Sequence, residues 1–347
     1  MQKLLNEIGQ ERMTRLDYGI RAQAEDNVLV LSAAHEADPT RHAMRQGRLK
    51  TLERLGLAEE RHAGVWVLDA ALEPKLRRLG ERADTFMAME RALAAAGIER
   101  GAGQLAVFEK GDRRTPVVGR VVGVGLVDEI TDRQYVVVDG VDGRVHYAEL
   151  GRRPSDTAPG KDMIVSLAAD RLGGRPQSAT RIEVLSPAAL KGQEAYVGPT
   201  WLDTVLSGRH RVATQSTGFG GDVERSLQAR AIWLVERQLA ERLPDNKLQV
   251  KPAAFETLRK LEIERFSSDL AKQYGVPFQT AQPGVTITGV YDRSITTPTA
   301  KLAVIRTATG VTVAPWRPSI EALRGQQVQG IMHPTKVVWG PGRGLGP

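Results

Sequence analysis

The stretch GLAEERHAGVWVLD, residues 56–69, decides how the first part of this chain folds. Val65 and Val67 alternate with Trp66 and Leu68, the period of a strand with one buried face. A charged segment and a glycine come before that alternation, so the stretch reads as a strand, a tight return and a second strand. Toward the N-terminus, the basic run ahead of it reads as helical from about Thr40 to Leu55, opened by Asp38-Pro39. NVLVLS, residues 27–32, reads as a short strand, and TRLDYGIRAQAE, residues 14–25, as a helix with Leu16 and Ile20 on one face. Helix, short strand, helix, helix and two-stranded hairpin is the order of a winged helix, with the opening stretch as its wing.

On the 40–55 segment Leu49, Leu52 and Leu55 share one side, and Gln46, Lys50 and Arg54 lie opposite. A winged helix sets such a helix into the major groove of DNA while the hairpin touches the backbone. Gln46, Lys50 and Arg54, with Arg61 on the wing, are therefore candidate contacts. Arg41, Arg45 and Arg48 would fall on the leucine side of a continuous helix, so a break near Gly47 is expected. The same module also serves as a protein-protein adaptor, which stays open as an alternative.

Working toward the C-terminus, LAEERHAGVWVLDAALEPKLRRL from Leu57 aligns without a gap to LAERLPDNKLQVKPAAFETLRKL from Leu239. Leu57, Leu76 and Leu79 meet Leu239, Leu258 and Leu261, while Trp66 and Leu68 meet Leu248 and Val250. DVERSLQARAIWLVERQ, residues 222–238, supplies the helix before the second copy, with Asp222 as its expected N-cap; Arg225 and Arg230 on it are candidate phosphate contacts. GLVDEITDRQYVVVDGVDGRVHYAEL from Gly125 and GVYDRSITTPTAKLAVIRTATGVTVAPW from Gly289 also share one layout of alternating strands. MIVSL from Met163 and VQGIM from Val328 continue each. Strands at this spacing suggest a small closed or nearly closed barrel.

The expected fold is α+β: an internal duplication of a winged-helix domain followed by a linking helix and a small antiparallel β barrel. The divisions are 1–100, winged helix plus linking helix; 101–185, first barrel; 186–283, linker with second winged helix and linking helix; 284–347, second barrel and C-terminal tail. RPSDTAPGK, residues 153–161, reads as a loop within the first barrel and WGPGRGLGP as a flexible end.

Composition narrows the chemistry. Forty-eight Lys and Arg against 41 Asp and Glu give a net charge of +7, a field that favours a polyanionic partner. There is no cysteine, which excludes disulfides, thiolate zinc sites and a cysteine nucleophile and fits a reducing cytoplasm. No apolar run approaches the roughly 20 residues that span a bilayer, so no membrane insertion is expected. The six histidines, His35, His42, His62, His146, His210 and His333, are scattered, and no metal or cofactor is expected. GFGGDV, residues 218–223, lacks a preceding strand and the Lys-Ser/Thr of a phosphate loop, so it reads as a flexible N-cap loop. DGVDG, residues 139–143, reads as a turn, and Asp128, Glu129 and Asp132 as a solvated loop. No G-x-S-x-G elbow occurs. Trp201, Trp316 and Trp339 are the aromatic groups available for base stacking, with Trp316 placed to close a barrel core.

DRQYVVVDGVDGRVHYAELG (132–151), GPTWLD (198–203), GFGGDVERSLQARAIWLVE (218–236), APWRP (314–318), GQQVQG (325–330) and the WGPGRGLG ending together resemble the C-terminal region of conjugative relaxases, a region itself without a defined function. The similarity runs from around Glu11 over nearly the whole chain. Relaxases nick DNA with a tyrosine and a metal held by clustered histidines in an N-terminal domain. Nothing here matches that domain, and none of Tyr18, Tyr135, Tyr147, Tyr196, Tyr274 and Tyr291 can be given the nucleophile role. The resemblance implies a separated or truncated, non-catalytic accessory region that binds duplex DNA near a transfer origin. The alternatives are a protein-interaction scaffold for relaxosome or secretion-channel proteins, or a winged-helix transcriptional regulator, although no heptad seam supplies a dimer for the latter.

Overall fold

A computed structural model describes residues 5–32, 38–108, 115–128, 132–152, 159–172, 175–244, 247–282, 284–332 and 337–341. Most of the 153–161 loop, Glu129, His35, His333 and the last six residues of the C-terminal run lie outside them. The chain is mixed α+β and divides into two compact units, Met1–Glu90 and Arg91–Pro347.

In the first unit, helix α1 (Arg15–Gln23) opens on Thr14, whose side chain accepts from the Asp17 N–H while Asp17 reaches back to the Thr14 N–H. Strand β1 (Val28–Val30), helix α2 (Pro39–Arg54), strand β2 (Ala58–His62) and strand β3 (Val65–Leu68) follow, and the strands form an antiparallel sheet in the order β1-β3-β2. The β2–β3 return depends on Gly64, at φ +78°, where an added Cβ would stand 2.6 Å from the Leu31 carbonyl oxygen. Ile20, Leu29, Leu49, Leu52, Trp66 and Leu68 make the core. The start of helix α3 (Leu72–Ala96) closes it with Leu72 and Leu76.

The expected break near Gly47 is absent, because α2 is one uninterrupted 16-residue helix. Gly47 instead admits Ile8, whose Cγ2 lies 3.2 Å from where a Cβ would be. Arg48, on the leucine side, is fully buried and donates from Nε and Nη2 to Asp17, 2.8 Å each. Its Nη1 and Nη2 also reach the carbonyls of Glu7, Ile8, Gln10 and Arg12. A buried guanidinium is tolerated when its charge is paired and its remaining donors are all used.

Part of this plan recurs in the second unit, where no described strand corresponds to β1 and the hairpin stands as a two-stranded sheet. Helix α4 (Trp201–Leu206) opens on Thr200 with the same reciprocal pair, here with Asp203. Helix α5 (Gly218–Glu236), strands β10 (Ala240–Arg242) and β11 (Leu248–Val250), and helix α6 (Ala254–Tyr274) follow. Arg230 on α5 is fully buried, donating from Nε and Nη2 to Asp203 at 2.8 and 2.9 Å and from Nη1 and Nη2 to the carbonyls of Tyr196 and Gly198. Arg48 precedes Leu57 by nine residues, as Arg230 precedes Leu239. The ungapped repeat therefore extends upstream through the two anchors.

Between the two helical parts, strands β4 (Leu105–Val107), β5 (Val117–Asp128), β6 (Arg133–Gly140), β7 (Val145–Arg152), β8 (Ile164–Leu172) and β9 (Arg175–Ser186) form a sheet in the order β4-β7-β6-β5-β8-β9. At the C-terminus, β12 (Thr286–Thr296), β13 (Lys301–Arg306), β14 (Val311–Pro315), β15 (Gln327–Met332) and β16 (Val337–Pro341) take the order β14-β13-β12-β15-β16, which is the same topology without the first strand. Even that strand has a remnant. β4 pairs parallel to β7, and Phe278 makes a parallel bridge to Val311 at the start of β14. These parallel pairings depart from the all-antiparallel expectation.

Neither sheet closes on itself among the described residues. In the second sheet a side chain links the two edges, Trp339 Nε1 donating to the Pro315 carbonyl at 3.1 Å. Trp316 packs against that sheet's core, its Nε1 donating to Glu321, and Trp201 is buried among Val118, Val141 and Phe219. Trp201 is thus unavailable to stack on a base.

Glu262 on α6 is held under Tyr196, whose hydroxyl donates to it at 2.7 Å. Burial pushes its carboxyl above the ordinary range, and the Tyr196 hydrogen bond and the Arg265 and Arg259 charges only partly oppose this. The folded state therefore binds the Glu262 proton more tightly than the unfolded chain. That contribution to stability is full below the ordinary Glu value and is lost as pH rises through the raised one. Glu262→Gln is expected to leave the melting temperature unchanged near pH 4 and raise it at neutral pH. The gain is small, because the exposed part of the side chain is screened. A loss of stability at neutral pH in a melting series would refute the assignment.

Candidate nucleic-acid interface

The solvent side of α2 carries Ala43, Gln46, Lys50 and Arg54, all exposed, in a row spaced three to four residues apart. Its opposite side is consumed by Leu49, Leu52 and the Arg48–Asp17 pair. Gln46, Lys50 and Arg54 are thus brought onto one face as the helical spacing requires. The hairpin lies beside this face, because Lys50 Nζ reaches Glu60 on β2 at 2.8 Å and Glu53 at 3.1 Å while standing 4.9 Å from the Trp66 ring centre.

That clamp is the feature that helical spacing alone misses. Glu60 lies opposite Trp66 in the β2–β3 register, which places its carboxylate over the middle of α2. The hydrogen bond from Lys50, then that from the Gly64 N–H, holds the Glu60 carboxyl below its usual range. Glu60 and then Glu53 hold the Lys50 ammonium above its own. Lys50 therefore keeps its charge but shares it with two carboxylates. Arg61 is exposed and faces Glu59 at 3.5 Å. Arg54 is exposed and makes no side-chain pairing among the described residues, leaving it the most available cation of the row.

The second copy does not repeat this surface. Arg230 is a buried structural cation and cannot reach phosphate, which corrects its candidacy; it lies on the core side of α5 because its spacing to Leu234 is that of Arg48 to Leu52. Arg225 is exposed and paired with Asp222. In the ungapped register Gln228, Ile232 and Glu236 occupy the places of Gln46, Lys50 and Arg54. Only the glutamine is retained, and Ile232 is 52% exposed.

GFGGDV is helical rather than a loop. Thr217 is the N-cap, residues 218–221 form the first turn of α5, and Asp222 sits inside the helix rather than capping it. Beside this turn, Arg100 and Arg120 both donate to the buried Asp139, and the Arg120 guanidinium lies 5.1 Å from the Phe219 ring centre. Asp139, read as part of a turn, thus ends β6 as the acceptor of two arginines. An open cleft of about 580 Å³ runs along this side, with Arg120, Lys191 and Arg225 balanced by Asp162, Glu194 and Asp222. The cleft has no net charge to select an anion.

Among the described residues no helix is long and apolar enough to cross a membrane. No curated protein and no solved structure matches the chain. The model of one family, "Protein of unknown function (DUF3363)", matches residues 45–180 and residues 169–347, two segments consistent with the repeat. These matches span most of the sequence, and the chain belongs to the DUF3363 family.

Proposed function

We propose that this chain is a non-catalytic, duplex-DNA-binding accessory region of the conjugative DNA-processing type, as its resemblance to the C-terminal region of relaxases implies. In this reading each half is a winged-helix head followed by a small barrel-like sheet, and the first head does the reading. The observation that carries it is the Gln46–Lys50–Arg54 row on the one free face of α2, flanked by a two-stranded hairpin. The net charge of +7 supplies the accompanying long-range attraction.

The Lys50 clamp gives this reading a test that a generic basic surface would not pass. Arg54→Ala should weaken duplex binding and reduce the slope of log affinity against log salt by about one unit. Lys50→Ala should reduce it by less, because part of that charge is already spent on Glu60 and Glu53. Glu60→Gln, which keeps an acceptor for the Gly64 N–H but releases the ammonium, should raise affinity. A salt series on duplex and single-stranded DNA reads all three. If Glu60→Gln and Arg54→Ala both bind duplex like the parent, α2 is not the contact helix.

Ile232 in the place of Lys50 favours a second role for the second head, contact with protein rather than with DNA. This agrees with a scaffold in which one copy keeps the DNA surface and the other has lost it.

A further inference from the structure

We propose that the exposed face of α5 is a symmetric docking surface for α5 of a second copy of this chain, the two helices running antiparallel across a two-fold axis. Arg225, Gln228, Ala229, Ile232 and Glu236 are the exposed positions along this face. An isologous contact requires a surface complementary to its own reverse. Residues 225 and 236 lie equally far from the midpoint between 229 and 232. An antiparallel copy centred there sets Arg225 against Glu236 of its mate at both ends, about 16 Å apart along the axis. In the centre it sets Ala229 against Ile232, a small residue against a large one.

Two further observations fit this arrangement. Ala229 lines the 580 Å³ cleft, whose wall mixes the apolar Ala189 and Leu190 with the six charged side chains named above, so the mate's Ile232 meets open space beside Ala229. Glu236 is also the last residue of α5, an end at which an isolated helix is stabilised by basic rather than acidic groups, so a facing Arg225 of the mate offsets an unfavourable position. In the monomer Arg225 is held, among the described residues, only by Asp222 in an exposed pair, which is cheap to exchange.

The first copy is the internal contrast. Its corresponding positions would set Ala43 against Arg54 and Gly47 against Lys50, with no charge pairing and no apolar centre. Self-association therefore belongs to the second copy alone. A single helix face falls at the small end of specific interfaces, so a reversible dimer in the micromolar range is expected.

Analytical ultracentrifugation of the full chain across that range tests the proposal. The parent should shift from monomer to dimer with concentration. Ile232→Lys should weaken association by at least about tenfold, and Lys50 at the equivalent place shows that the fold accepts the substitution. Arg225→Glu and Glu236→Arg should each weaken it, and the two together should restore it, with thermal midpoints near the parent's throughout. A parent that stays monomeric, a dimer indifferent to Ile232→Lys, or a charge exchange without recovery overturns the proposal.

Discussion

Replacing Arg230 by alanine is expected to destabilise the 91–347 unit by about 3–5 kcal/mol, the cost of leaving a buried charge without its partner. Asp203 would remain fully buried, and the carbonyls of Tyr196 and Gly198 would lose their donors. Arg48→Ala should do the same to the 1–90 unit through Asp17 and the carbonyls of residues 7–12. Lysine should not rescue either, since one ammonium cannot span two carboxylate oxygens and several carbonyls at once. Arg230→Met combined with Asp203→Leu should recover part of the loss, because an apolar pair removes the unpaired charge but leaves the orphaned carbonyls and the Thr200 N–H that Asp203 accepts. Denaturant unfolding checks each variant. The result also separates two roles for Arg230: a phosphate contact predicts normal stability with weaker DNA binding, and a structural anchor predicts the reverse.

The hairpin at residues 56–69 was legible because alternation and a glycine are local signals, and so were the helices with leucines at helical spacing. The repeated spacing of core leucines was legible because such spacing survives divergence, and the two matched segments are consistent with it. What failed was inference about long polar side chains. Arg48 and Arg230 sit among leucines on a helical wheel, and a wheel cannot show a carboxylate 31 or 27 residues upstream that accepts them. The break placed at Gly47 was a way to keep Arg48 out of the core; the core instead accepts it by satisfying every donor. A wheel also treats Lys50 as a free cation, whereas its two partners depend on the strand register that brings Glu60 across. The signal that could have found the anchors was in the sequence: Thr-x-x-Asp at 14–17 and 200–203, and an arginine nine residues before the aligned leucine in both copies. Closure of the sheets had no such signal, because strand spacing fixes neighbours but not whether the two edges meet.

Gly220→Ala is expected to cost about 2–3 kcal/mol, against the ordinary preference of helices for alanine. In an open helix interior the change would stabilise by roughly 0.5–1 kcal/mol. Here the new Cβ would stand 2.2 Å from the Gln215 carbonyl oxygen, 2.5 Å from that of Val141 and 2.9 Å from the Gln215 nitrogen. All three are backbone atoms and cannot rotate away. The Gln215 N–H also donates to the Val141 carbonyl at 2.7 Å, so the helix start cannot retreat without straining a bond that fastens it to the end of β6. Phe219 and Val223, packed with Val118, Val141 and Trp201, would move with it. This is why a glycine-rich run opens a helix: two backbones meet with no room for a side chain between them. Gly103→Ala, with nothing within 4 Å of its Cβ, is the control and should be neutral or slightly stabilising. Denaturant midpoints of the two variants decide the matter, and a stabilised Gly220→Ala would mean that residues 218–221 bend away from Val141 and behave as the flexible cap their composition suggests.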